Sequence, residues 1–141
     1  APDAPAFLRQ HVRTGSHGGT VVINAGDGAK AIAGALTEGQ AVCIATDVPG
    51  QTRLPFLGRD RMGSSGAARL AQATQSLVLL MTAHHDSDGV TSLRLSEPLE
   101  AGDFADPDDL LRHMVAHQES AVLAWPEGYH IPTLRWGTVS D

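Results

Sequence analysis

The sequence predicts an α/β fold, a mainly parallel sheet flanked by helices with one antiparallel hairpin. Three observations predict it. Residues 41–46 and 77–83 are nearly unbroken apolar runs, as expected of strands buried on both faces of a parallel sheet. Segments with apolar residues at helical spacing alternate with these runs. Residues 90–95 set Val and Leu against Thr, Ser and Arg, directly after a His/Asp/Gly turn at 84–89. That alternation fits a half-buried strand paired in a hairpin with 77–83.

Taken in order, residues 1–6 read as a leader or linker and 7–13 as the end of a helix, so 1–19 precede the ordered elements. Residues 20–23 form a short buried-strand signal after Gly15, Gly18 and Gly19. Residues 27–37 carry Ala, Ile and Leu at helical spacing, with Asp27 near the start and Gly39 just past the end. Asp47, Pro49 and Gly50 end the 41–46 strand. Residues 48–63, rich in Gly, Pro and Arg, read as a loop. A helix follows from Ser64 or Ser65 to about Thr74. Residues 107–123 are a helix with Asp106 as N-cap, Pro107 in the first position and Leu110, Leu111, Met114, Val115 and Val122 as its apolar face. Residues 126–136 form an irregular tail.

Composition narrows the function. With 141 residues the chain fits one domain, 1–141, and 42% apolar and 18% charged residues are globular values. No apolar run approaches the roughly 20 residues of a membrane span. A single cysteine, Cys43, excludes an internal disulfide and any Cys-rich zinc site, and points to a reducing compartment. Within the buried strand 41–46 it reads as inert core. A net charge of −6 and 4% aromatic residues argue against nucleic acid as a partner. The charge is uneven. Four of the ten basic residues, Arg53, Arg59, Arg61 and Arg69, fall within 53–69 beside a single acid, Asp60. The stretch is either solvated surface or an anion site, since arginine offers a planar fork of donors. Ser64 and Ser65, opening a helix, would add free backbone N–H groups to such a site.

Few residue clusters carry chemistry. His84, His85, Asp86 and Asp88 match no metal-ligand spacing and suit a hairpin turn. His113 and His117 share a helix face, but Met114 stands where a zinc protease motif needs glutamate, so they read as exposed helical histidines. No metal site is expected. Ser64 and Ser65 lack the nucleophile-elbow pattern. Asp47 is the most informative single residue. It lies at the carboxyl end of a strand read as parallel, the edge where open α/β sheets bind ligands. It equally suits a turn cap, and both readings stand at this point.

The order of motifs over 36–80 goes further. Leu36-x-x-Gly39-x-x-Val42 leads to Asp47, then to Leu54-Pro55-Phe56-Leu57-Gly58-Arg59, then to Gly63-x-x-Gly66-Ala67-Ala68-x-Leu70-Ala71 and the apolar run from 77. Near the end, Pro126-Glu127-Gly128-Tyr129 is followed by Arg135-Trp136, with Glu119 upstream. This order resembles the lysophospholipid acyltransferase superfamily and, within it, the bacterial lipid A biosynthesis (lauroyl/myristoyl) acyltransferases, over roughly 20–136. Gly128, Tyr129 and Thr133 depart from the family's Gln, Trp and His.

The resemblance implies transfer of an acyl group from acyl-CoA or acyl carrier protein to a hydroxyl of a lipid or glycolipid. It implies no cofactor beyond the donor, and a cytoplasmic protein peripheral at the inner face of the membrane. Asp47 would be the catalytic acid at the site mouth. Arg59, with Arg53 and Arg61 behind it and Arg13 before the first strand, would bind phosphate of donor or acceptor. One family feature is missing. The superfamily's general base is a His followed, after four residues, by Asp or Glu. Five positions beyond the seven histidines stand Ser16, Val22, Gly89, Val90, Gln118, Val122 and Arg135, none of them acidic. The sequence therefore reads as the C-terminal portion of an acyltransferase, its base supplied by an N-terminal half or second chain. The alternative is a non-catalytic module binding an acyl thioester, a carrier protein or an acidic lipid, or a partner subunit.

Overall fold

The computed structural model describes Ile23 and residues 28–129. Arg13, the 7–13 helix end and most of the 20–23 strand lie outside the described residues. In order, the elements are α1 (Gly28–Thr37), β1 (Pro49–Phe56), β2 (Arg59–Gly63), α2 (Gly66–Thr74), β3 (Leu77–Val78), β4 (Met81–His85), β5 (Thr91–Leu95), β6 (Leu99–Glu100) and α3 (Pro107–Ala124). Single 3₁₀ turns occupy Ala101–Asp103 and Pro126–Gly128.

The helices follow their local signals. At the start of α3 the Asp106 carboxylate accepts the Asp109 N–H at 2.7 Å, Pro107 opens the first turn, and Asp108 and Asp109 sit at the positive end of the helix dipole. One face of α3 buries Leu110, Leu111, Met114, Val115 and Val122. The helix stops at Trp125, ahead of Pro126. In α2 the small residues Ala68 and Ala71 are the buried ones, which lets this helix approach α3 closely. It ends on Gln75 in a left-handed conformation, φ +52°. The Gln72 side chain donates to the Ala101 and Phe104 carbonyls, which fixes the turn leading into α3.

The sheet expectation is corrected. Among the described residues every strand pairing is antiparallel and two-stranded: β1 with β2, β3 with β6, and β4 with β5. Residues 41–46 form no strand. They run as an extended segment with Val42 and Ile44 half-buried and Cys43 exposed, so Cys43 is not core. Residues 77–83 divide between β3 and β4. The antiparallel hairpin with 90–95 is present, from Met81↔Leu95 to His85↔Thr91, around a turn that Asp86 closes by accepting the Asp88 and Val90 N–H groups. Leu80 continues the ribbon, giving its N–H to Ser96 Oγ and taking the Ser96 N–H on its carbonyl. Beyond it lies Pro98, which has no N–H to give, and the register slips by one before Leu99 pairs with Val78. The unbroken apolarity of 77–83 does not mean two-sided burial. Val78 and Leu80 face inward while Leu77, Leu79 and Met81 stay exposed.

Residues 48–63 are a β-hairpin rather than a loop. Its inward positions alternate, Leu54 and Phe56 on β1 and Arg61 and Gly63 on β2. Leu57 (φ +52°) and Gly58 (φ +72°) make the two-residue turn, both with the positive φ that a type I′ connection demands. At the other end a Cβ on Gly50 would run into the Gly63 carbonyl, so glycine is required there for the strands to meet. Leu54 and Phe56 then pack with the buried face of α3 and with Ala68, Ala71, Leu80 and Ala101 in one core.

Candidate functional site

An apolar groove of about 520 Å³ runs beside this core. Its floor comes from α3, through Met114, His117, Ala121 and Val122. Segments 42–47 and 76–83 line it as well, together with Leu70 and Ala71 of α2. Trp125 and Tyr129, just beyond α3, also line it. His117 therefore belongs to the groove and is half-buried, whereas only His113 is an exposed helical histidine, its ring edge-on to Phe104 at 5.4 Å. The Trp125 ring lies 4.5 Å from the His84 ring. It also occupies the space a side chain on Gly128 would need, so glycine here goes with this placement of Trp125.

One corner of the groove is polar, and Arg61 organises it. Arg61 is 1% exposed. Its Nη2 donates to the Thr46 carbonyl at 2.9 Å, and its Nη1 to Gln118 Oε1 at 3.1 Å and Tyr129 Oη at 3.4 Å. The guanidinium stands 4.8 Å from the centre of the Phe56 ring. A buried cation is tolerable only when its donors find acceptors, and here three acceptors and an aromatic face serve. Gln118 Nε2 donates to the same phenol oxygen at 3.2 Å. Burial pushes the Tyr129 phenol above its usual range. The Arg61 charge and the hydrogen bonds from Arg61 and Gln118 oppose that rise, while the Asp47 charge adds to it. Thr46, Asp47, Gln118 and Tyr129 all line the groove beside this corner.

The expected site residues separate. Asp47, half-buried, lines the groove. Arg61 is turned inward and holds the 46–47 segment to α3 and Tyr129. Arg53 is exposed and pairs with Asp60 at 3.3 Å. Arg59 is exposed where β2 begins, opposite Phe56. Neither Arg53 nor Arg59 lines the groove. The sequence does not mark Gln118, and it marks Tyr129 only as a departure from the family pattern. No local signal marks either, because their partner Arg61 is 57 and 68 residues away.

Glu119 has a definite task. Its Oε1 accepts the Leu57 N–H at 2.7 Å, tying the β1–β2 turn to α3. Glu119 on α3, the Leu54–Arg59 segment and the Gly66–Ala71 helix thus converge on one body. A family model for bacterial lipid A biosynthesis acyltransferases matches residues 8–138. The chain belongs to that family. The matched span of this acyltransferase-family domain takes in the β1–β2 hairpin, α2, α3 and the residues that line the groove. No curated protein matches the chain. Among the described residues no helix is long and apolar enough to cross a membrane.

Proposed function

We propose that the groove of this acyltransferase-family domain receives the acyl chain of a thioester donor, acyl-CoA or acyl carrier protein, for transfer to a hydroxyl of a lipid or glycolipid. The groove itself carries the reading: a mostly apolar lining of about 520 Å³ with a polar corner suits a chain ending in a thioester. In that reading Asp47 faces the reacting end as an acid at the site mouth. The general base comes from outside these 141 residues, from an N-terminal half or a second chain, because no histidine here is followed by the family's acid. The reaction would take place at the inner face of the membrane, where a lipid acceptor is presented.

Two outcomes test this. Binding of S-dodecanoyl pantetheine, followed by calorimetry, is expected for the parent and is expected to be lost in Ala121→Trp, which fills the groove floor. Equal binding by both would place the acyl chain elsewhere. The chain alone is also expected to show no thioester turnover, since a positioned base typically contributes about 10²–10⁴-fold. Thioester release that rises in proportion to purified protein would reveal a catalytic group within these residues.

Arg59, with Arg53 beside it and Arg13 outside the described residues, remains our choice for contacting donor or acceptor phosphate. Its exposure limits the effect. Arg59→Ala is expected to weaken CoA binding by no more than about fivefold at low salt, and by less at moderate salt. Identical affinities at low salt would remove Arg59 from the site.

A further inference from the structure

We propose that Tyr129 is the hydrogen-bond donor that holds the carbonyl oxygen of a bound acyl thioester at the polar corner of the groove, an inference that rests on the acyl-binding reading above.

Arg61 can only donate. Gln118 must then turn its Oε1 toward Nη1, as it does at 3.1 Å. That orientation leaves Nε2 facing the Tyr129 oxygen, at 3.2 Å. Arg61 Nη1 approaches the same oxygen at 3.4 Å. Both acceptor positions of the phenol oxygen are thus occupied by donors, and its proton must point away from them. Tyr129 lines the groove, and no described residue accepts that proton within hydrogen-bonding distance. Asp47 is the neighbouring negative charge, and it acts on the phenol electrostatically. Among the described residues the O–H is therefore a donor without an acceptor, beside the groove.

Three features make it a good one. The ring is held independently of its hydroxyl, tilted against Phe56 at 5.9 Å between centroids and packed on the core. Two donors onto its oxygen polarise the O–H bond outward. Burial raises the phenol above its ordinary range, so it meets the acceptor as the neutral, protonated group. A thioester carbonyl is a neutral acceptor, and a neutral donor meets it without burying a second charge. Arg61 and Gln118 are positioning residues in this arrangement, acting through Tyr129.

The experiment compares two probes on parent and Tyr129→Phe: S-dodecanoyl pantetheine labelled with ¹³C at its carbonyl, and its thioether analogue S-dodecyl pantetheine. In the parent the carbonyl infrared band is expected to move to lower wavenumber on binding. In Tyr129→Phe that shift disappears, and affinity for the thioester falls about two- to tenfold, the range of one neutral hydrogen bond. Affinity for the thioether is unchanged. Thioester binding by the parent with no band shift would overturn the inference while leaving the acyl groove standing. Equal loss of both probes in the variant would reduce Tyr129 to a packing role and overturn it as well. Failure of the parent to bind either probe would remove the groove reading, and the inference with it.

Discussion

Replacing Arg61 by leucine is expected to lower folding stability by about 2–4 kcal/mol, although Arg61 lies in a hairpin rather than in a helix core. The substitution keeps an apolar stem against Phe56 and deletes the guanidinium. The Thr46 carbonyl, Gln118 Oε1 and Tyr129 Oη then lose their donor together. Hydrogen bonds to a charged group contribute roughly 1.5–3 kcal/mol each, and a buried acceptor left unmade carries its own desolvation penalty. These bonds are only partly buried, so the total stays below a simple sum. Arg61→Lys is expected to recover less than half, since an ammonium cannot reach three acceptors in the plane of a fork. Urea unfolding midpoints at constant slope measure both. A leucine variant within about 0.5 kcal/mol of the parent would show that the corner is held by its apolar packing instead.

The same residue shows what was legible in the sequence and what was not. Asp106, Pro107 and the apolar spacing of 110–122 act within one or two turns, and α3 forms where they say. The 48–63 hairpin was concealed because its turn is Leu57-Gly58, without the Asn or Asp that usually announces a type I′ connection. Alternation was present at Leu54 and Phe56 but lay among Pro, Gly and Arg residues that read as loop. The parallel sheet rests on two apolar runs and on the helical segments that alternate with them. Apolarity says that a segment is apolar on both sides, not what covers each side, and here Leu77, Leu79 and Met81 remain exposed. Strand-edge logic places Asp47 beside a ligand site. It does line the groove, yet on an extended segment that pairs in no sheet. Proximity in sequence groups Arg61 with Arg53 and Arg59. On β2, residues 59 and 61 share a face while Asp60 takes the other, so spacing gave no reason to separate them. What separates them is α3, which arrives over Arg61 from more than fifty residues away.

Glu119→Ala is expected to reduce stability by about 1.5–3 kcal/mol, through the turn rather than through α3 itself. Leu57 must hold φ at +52°, a conformation that disfavours a branched apolar side chain and leaves its N–H pointing away from the ladder. The Glu119 carboxylate receives that N–H at 2.7 Å, a charge-assisted bond in a partly buried site. Alanine is a better helix former than glutamate at most by a few tenths of a kcal/mol, so helix propensity cannot offset the loss. Removing the carboxylate exposes the strain at Leu57, loosens the β1–β2 turn and lets Phe56 and Arg61 lose register with α3. Glu119→Gln tests the charge separately. An amide oxygen can still accept the N–H, and about half of the loss should return. Amide hydrogen exchange gives a local readout: the Leu57 N–H is expected to exchange faster in Glu119→Ala while the amides of Leu110 and Leu111 keep their protection relative to global stability. Should Leu57 remain protected and the α3 amides open instead, Glu119 would be stabilising its own helix and not the hairpin that carries Arg61 to the groove.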